Sequence, residues 1–288
     1  MKSYLLFVTL TVILLQCVSA RVLHRDPQTM IRRGPLPSTT SGSDILSSRQ
    51  GHPSRGGFIG QKKKYVNPCS DSDAQLGLKA AVSVAGETLG LLAVLKLAQL
   101  LSQLPWFAQW PVLNDVPLVQ WLSFVFIIFN ASAVKSLMDG GLSIASAQVW
   151  RPNVVPGDPA WYGGLQKPWF NPPGWLFPVM WIGVSKPTQL LAVLRLWKAS
   201  SGSLRWLALS LYCVHLSLGD VWNQIFFGCQ RLCLGYHTIV MFWWTLLASI
   251  LVFGAVDGTA GVWLLPTFGW VSVALALNSE IARLNAAK

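Results

Sequence analysis

Charge is what this chain has least of. Only 11% of its 288 residues are Asp, Glu, Lys or Arg, where soluble domains carry about a quarter. Acids are the scarcer sign, eleven against twenty-two Lys and Arg. A chain that is 52% hydrophobic with so few charges cannot cover itself with a water-compatible surface, which excludes an ordinary soluble domain. The net charge of +11 does not bring back a nucleic-acid reading. Residues 1–73 hold ten Lys/Arg against four Asp, and the remaining cations lie thinly between apolar blocks with no basic face interleaved with aromatics. No nucleic-acid partner is expected. Metal-ligating groups are equally sparse. Cys229 and Cys233 lie one helical turn apart, but no second Cys/His pair completes a four-ligand set, so no metal is expected. They read as buried helical thiols, and with Cys17, Cys69 and Cys213 they give no redox-compartment signal. A nucleophile elbow and a plausible carboxylate pair are also lacking, so non-enzymatic binding is expected ahead of catalysis.

What is present is tryptophan, fifteen of them, and long apolar runs. Residues 1–20 start with Lys2, continue through an apolar run and end Cys17-Val18-Ser19-Ala20, the form of a secretory signal. Residues 21–73 are rich in Arg, Ser, Gly and Pro without apolar periodicity, which predicts a disordered basic targeting segment or linker. After a signal peptide, such a stretch suits entry to a complex-plastid membrane, and an ER/secretory membrane fits the composition too. Five runs are long enough to cross a bilayer as helices, over residues 117–138, 173–197, 204–227, 232–256 and 261–284. A further helix, within residues 74–104, carries Lys79, Glu87 and Lys96, and its residues leave spanning and surface-lying equally open. With the five spans alternating, one face collects Arg195, Lys198 and Arg205. The other collects Lys135, Arg151, Lys167, Arg231, Arg283 and Lys288, which the positive-inside rule assigns to cytosol or stroma.

The stretch from Trp161 to Trp181 carries the functional reading. Pro172 and Pro173 are placed to open a helix, where a missing N–H costs nothing. Pro178 is expected to bend that helix and open a gap against its neighbours. Trp161, Tyr162, Trp175 and Trp181 could line the gap with apolar faces and a few donors, a setting for a flat macrocycle with carboxylate edges. An interfacial aromatic belt punctuated by prolines explains the same residues. The residues alone leave both open.

The run Trp161-Tyr162-Gly163-Gly164-Leu165-Gln166-Lys167-Pro168-Trp169-Phe170-Asn171-Pro172-Pro173, followed by Trp175, Phe177-Pro178 and Trp181, resembles the signature of the TspO/MBR family of tryptophan-rich sensory proteins and translocator proteins. The likeness continues through Trp222, Ile225-Phe226-Phe227-Gly228, Leu265-Pro266, Trp270, Leu277-Asn278 and Arg283-Leu284-Asn285, covering residues 117–285 in order. The resemblance implies an all-α membrane protein, a five-transmembrane-helix bundle with a possible extra N-terminal helix, often a homodimer in the lipid bilayer. It implies binding, with transport or sensing, of tetrapyrroles such as porphyrin or haem, or of lipid ligands, with no obligatory cofactor. Carried over, the ligand-facing aromatics fall on Trp161, Tyr162, Trp181 and Trp270, while Pro172, Pro173, Pro178, Trp222 and Asn278 shape the bundle. Light-dependent porphyrin breakdown, with Trp181 as the redox-active residue, and a sterol-lipid binder are the alternatives the resemblance leaves, and the basic segment of residues 21–73 adds a third, a membrane scaffold that recruits partners through it.

This chain departs from the family pattern in Ser185-Lys186-Pro187, which puts a charge in an apolar helix, and in Gly219-Asp220, where relatives carry Asn at the first position. A buried charge needs a partner. Lys186 and Asp220 would differ by about 7 Å in depth on adjacent antiparallel helices, within reach of a lysine stem. An ion pair between them is expected, with His215 as a third member and Lys186 as a possible contact for a ligand carboxylate. The Tyr of the sterol pattern is also missing from the stretch Leu277-Asn278-Ser279-Glu280-Ile281-Ala282-Arg283.

Overall fold

The structure is a computed structural model that describes residue 69 and residues 71–113, 115–140 and 159–286, by backbone alone at 132–140 and 159. The leader and the basic segment through residue 68 lie outside the described residues, as does most of the loop before Trp161, whereas Cys69 and residues 71–73 at the end of that segment are described and lead into the first helix.

Six long helices form the body. They are α1 (Asp73–Leu101), α2 (Leu118–Gly140), α3 (Leu176–Ala199), α4 (Gly202–Asn223), α5 (Leu232–Val256) and α6 (Gly258–Asn285). By length and composition α1, α3, α5 and α6 can each cross a membrane, and α2 has a shorter apolar section, Leu118–Ala131. The helices close into a ring in which each packs on the next, in the order α1, α2, α3, α6, α5, α4 and back to α1. Between α1 and α2 lie a short turn at Pro105–Ala108 and a two-residue antiparallel ladder, β1 (Val112–Leu113) with β2 (Val116–Pro117). The chain alternates direction, so two faces can be named. The start of α1, residues 159–175, the α4–α5 loop and the end of α6 share the near face. The α1–α2 connection and the α3–α4 and α5–α6 turns share the far face.

The helix within residues 74–104 is α1, which packs lengthwise between α2 and α4. Ser72 caps it in a reciprocal capping box with Gln75. Its buried face, Leu76, Ala81, Val84, Glu87, Thr88, Leu91, Leu95 and Ala98, repeats at helical spacing and meets the bundle. Lys96 stays exposed near the far end, where its ammonium lies 5.0 Å from the Trp206 ring centre and bonds Gln99. Helix α4 is buried on every side from Ala208 through Leu218, the polar Ser210, His215 and Ser217 included, because α1, α2, α3 and α5 each touch it.

Helix α3 departs from the expected geometry at its entry. It begins at Leu176 rather than at Pro173, and the Leu176 N–H bonds the Pro173 carbonyl. Two consecutive prolines push the first away from helical backbone, so Pro172 and Pro173 stay outside the helix and a turn at Gly174 and Trp175 leads into it. Pro178 then falls in the first turn, where its absent donor removes no bond. The distortion lies just beyond it, as a π-helical segment over Val179–Ser185. Pro187 accounts for it: its ring would crowd the carbonyl four residues back, and the wider π turn relieves that contact.

Two cysteines also differ from the sequence reading. Cys229 is not a buried helical thiol but is bonded to Cys69, with a Cα–Cα distance of 5.2 Å. The α4 helix ends in a π turn over Gln224–Gly228, so Cys229 sits in the loop beyond it. Because α1 runs antiparallel to α4, the stretch before α1 arrives at the same place. Cys213 is free and buried, and Cys233 is free and exposed.

Candidate ligand-binding interior

The π segment of α3 turns Trp181 toward α5 and α6. Its ring lies 6.2 Å from Trp270, edge to face, and 6.5 Å from Phe242 in a stacked arrangement. Phe177 meets Trp270 at 5.4 Å. Trp270 is 5% exposed, and its indole Nε1 has no hydrogen-bond partner. Buried donors are almost always satisfied, so an orphaned indole N–H against an aromatic wall calls for an acceptor from outside the protein.

Phe242 continues the wall inward. It stacks on His215 at 4.3 Å with 10° between the planes, while His215 Nδ1 is 3.1 Å from the Phe242 carbonyl oxygen. Gly219 permits this packing, since a Cβ there would stand 3.0 Å from Phe242 Cε2. The Asn-to-Gly departure thus makes room for an aromatic ring on the α4 backbone. Deeper still, the Tyr212 hydroxyl donates to Gln189 Oε1 at 2.7 Å, and Gln189 Nε2 donates to Thr267 Oγ1 at 3.2 Å, tying α3, α4 and α6 together.

Trp161 and Tyr162 do not join that wall. They lie in the short helix Pro159–Gly164 and pack on the near end of α4, Trp161 at 5.7 Å from Phe226 and Tyr162 at 5.6 Å from Phe227. Trp222 stacks on Phe226 at 5.8 Å, and its Nε1 donates to Asn278 Oδ1 at 2.9 Å across to α6. The four aromatics expected around one pocket therefore fall into two groups, one at mid-bundle and one under the near-face loop. Lys167 holds the loop, donating to the Tyr162 carbonyl at 2.6 Å with its ammonium 4.6 Å from the Tyr162 ring centre. Asn285 exchanges two hydrogen bonds with the backbone of Gln166, at 3.1 and 3.0 Å, and clips the loop to the end of α6. Burial pushes the Tyr162 hydroxyl above its ordinary range, so it stays a donor at neutral pH.

The polar cluster expected around Lys186 has a member the sequence reading missed. Lys186 interacts electrostatically with Asp220 and, in addition, with Glu87 of α1, which is 1% exposed. The register agrees. Thr88 Oγ1 donates to Ser217 Oγ at 3.2 Å, so Glu87 and Asp220 stand within about 3 Å of the same height on antiparallel helices. From the Tyr212–Gln189 bond, Lys186 and Asp220 differ by roughly 7 Å in depth, which the lysine stem spans. His215 contacts the Phe242 carbonyl and also lies within electrostatic reach of Lys186. A lone acid midway along an apolar helix was the signal for Glu87. Among the described residues, no group of three or more His, Cys, Asp or Glu is placed to hold a metal ion.

The fold and this interior define a class: a polytopic all-α membrane protein whose core is walled by aromatic side chains. The TspO/MBR family profile matches residues 136–284. Protein CrtK of Rhodobacter capsulatus is 36% identical over 126 residues, covering 44% of this chain and 79% of that protein. The tryptophan-rich sensory protein of Cereibacter sphaeroides is 34% identical over 125 residues, 43% of this chain and 77% of its own. The human translocator protein is 29% identical over 137 residues, with 43% and 75% coverage. The chain belongs to the TspO/MBR family.

Proposed function

We propose that this protein binds a planar lipophilic ligand, of the porphyrin or haem class, against the Trp181–Trp270 wall, and that it senses or translocates that ligand in the membrane. The observation that carries the reading is the buried Trp270 indole N–H with no acceptor, set edge to face with Trp181 and beside Phe177. A tetrapyrrole offers a broad apolar face to the rings and a carboxylate edge to the donor. The π segment Val179–Ser185 supports it, because such segments recur at functional sites and this one sets the Trp181 orientation. The names of the relatives, a sensory protein and translocator proteins, support the sensing or carrying role. Lys186, one turn below Trp181, is the cation within reach of a ligand carboxylate that extends deeper.

The test is a titration of the purified full chain with protoporphyrin, read by Trp fluorescence. Saturable quenching is expected, weakened in both Trp181→Phe and Trp270→Phe. Quenching that never saturates, or variants that titrate like the parent, would end the proposal.

A further inference from the structure

The Cys69–Cys229 disulfide joins two segments of the near face, and it bears on which side of the membrane that face lies. Cytosolic thiols are kept reduced, whereas disulfides persist in the ER lumen, the periplasm and outside the cell. The bond is one part of a larger clamp. Arg231, two residues on, pairs with Asp73 at 3.3 Å and donates to the carbonyls of Asp71, at 2.9 Å, and Cys69, at 3.4 Å. Asp71 in turn pairs with Lys79 of α1 at 2.8 Å. This polar dressing seats the start of α1 on the α4–α5 loop and holds the two sulfurs where they meet.

We infer that the near face lies in an oxidising, non-cytosolic compartment, so that the aromatic interior exchanges its ligand with that compartment. The second half rests on the ligand-binding reading above, and the first does not. Trp181 lies five residues from the start of α3, about 8 Å along the axis from the near face, and Trp270 carries the wall inward to the middle of α6. The loop carrying Trp161 and Tyr162 and the end of α6 lie on the same face. Because crossings alternate, fixing one loop fixes the rest, and the α3–α4 and α5–α6 turns are then cytosolic. This reverses the orientation read from the excess of Lys and Arg. Charge bias is a statistical preference among insertion routes, whereas a disulfide is a chemical consequence of the compartment. A secretory leader over residues 1–20 would deliver the stretch before α1 to the same side.

The experiment uses the full chain with a short C-terminal extension carrying an Asn-Ala-Thr acceptor, expressed in eukaryotic cells and recovered in sealed ER vesicles. The α6 end is on the near face, so the extension is expected to be glycosylated, shown by a gel shift that endoglycosidase removes, and protected from added protease. Cys69 and Cys229 are expected to take up maleimide only after reduction, which Cys69→Ser and Cys229→Ser controls identify. An extension that is digested in sealed vesicles, or Cys69 and Cys229 reacting without reductant in freshly prepared membranes, overturns the inference. Protection without glycosylation still supports it, since an acceptor too close to the bilayer escapes the transferase. Loss of porphyrin binding with a protected extension rejects the ligand reading and leaves the orientation standing.

Discussion

Removing the Lys186 ammonium leaves Glu87 and Asp220 inside the bundle, close in height on α1 and α4 and without the cation that acts on both. Breaking a buried charge pair by deleting one partner costs about 3–5 kcal/mol, because the other charge remains desolvated. Two acids share the deficit here, so the upper half of that range is expected for Lys186→Met. At roughly 2–4 °C per kcal/mol for a bundle of this size, the melting temperature in detergent should fall by at least about 8 °C. Glu87→Gln alone should cost less, since Asp220 still acts on Lys186. Combined with Lys186→Met, the same Glu87→Gln change should recover stability rather than lose more. The assay is a double-mutant cycle on Lys186 and Glu87 read by thermal unfolding, with the swap Lys186→Asp, Asp220→Lys as a companion. Additivity within about 0.5 kcal/mol would show that the two groups do not interact and would refute the cluster.

Three further outcomes follow from single contacts. Gly261→Ala places a Cβ 2.8 Å from Gly254 Cα and 2.9 Å from the Ile250 carbonyl, so α5 and α6 must separate; a loss of about 1–3 kcal/mol is expected by thermal unfolding. Asn278→Leu removes the acceptor of the Trp222 indole and leaves that donor buried, which should cost about 1–3 kcal/mol, while Trp222→Phe in the same background should recover part of it. Cys69→Ser should lower stability by about 2–4 kcal/mol and expose the start of α1 to limited proteolysis, with a cleavage band that grows on adding reductant to the parent protein.

The helices were readable from the sequence because lipid demands long apolar runs, and α5 begins and ends where its run does. The position of α1 was not readable. Its charges leave spanning and surface-lying equally open until the partner faces of α2 and α4 are known. The entry of α3 was misread because a proline's effect depends on its place in the first turn, and a shift of three residues turned Pro178 from a helix breaker into a tolerated residue. Cys229 was misread for a related reason, since apolar residues run on past the helical hydrogen bonds into the loop. Lys186 and Asp220 were legible as charges needing partners. Glu87 was not assigned to them because nothing in its own segment says which helix it will face. The aromatic residues were legible as a set, but their division between Trp181–Trp270 and Trp161–Tyr162 depends on where the loop is clipped, through the Gln166–Asn285 bonds.

The most direct measurement is the dissociation constant of protoporphyrin for the full chain in lipid nanodiscs, from Soret-band titration, compared with Trp270→Phe. Phenylalanine keeps an aromatic ring against Trp181 and Phe177 and deletes the indole donor together with part of the ring area. If that donor meets a ligand carboxylate, about 1.5–3 kcal/mol is lost, so binding should weaken at least about tenfold. Equal affinity in the two proteins would contradict the account, because the orphaned N–H would then have no part in holding the ligand.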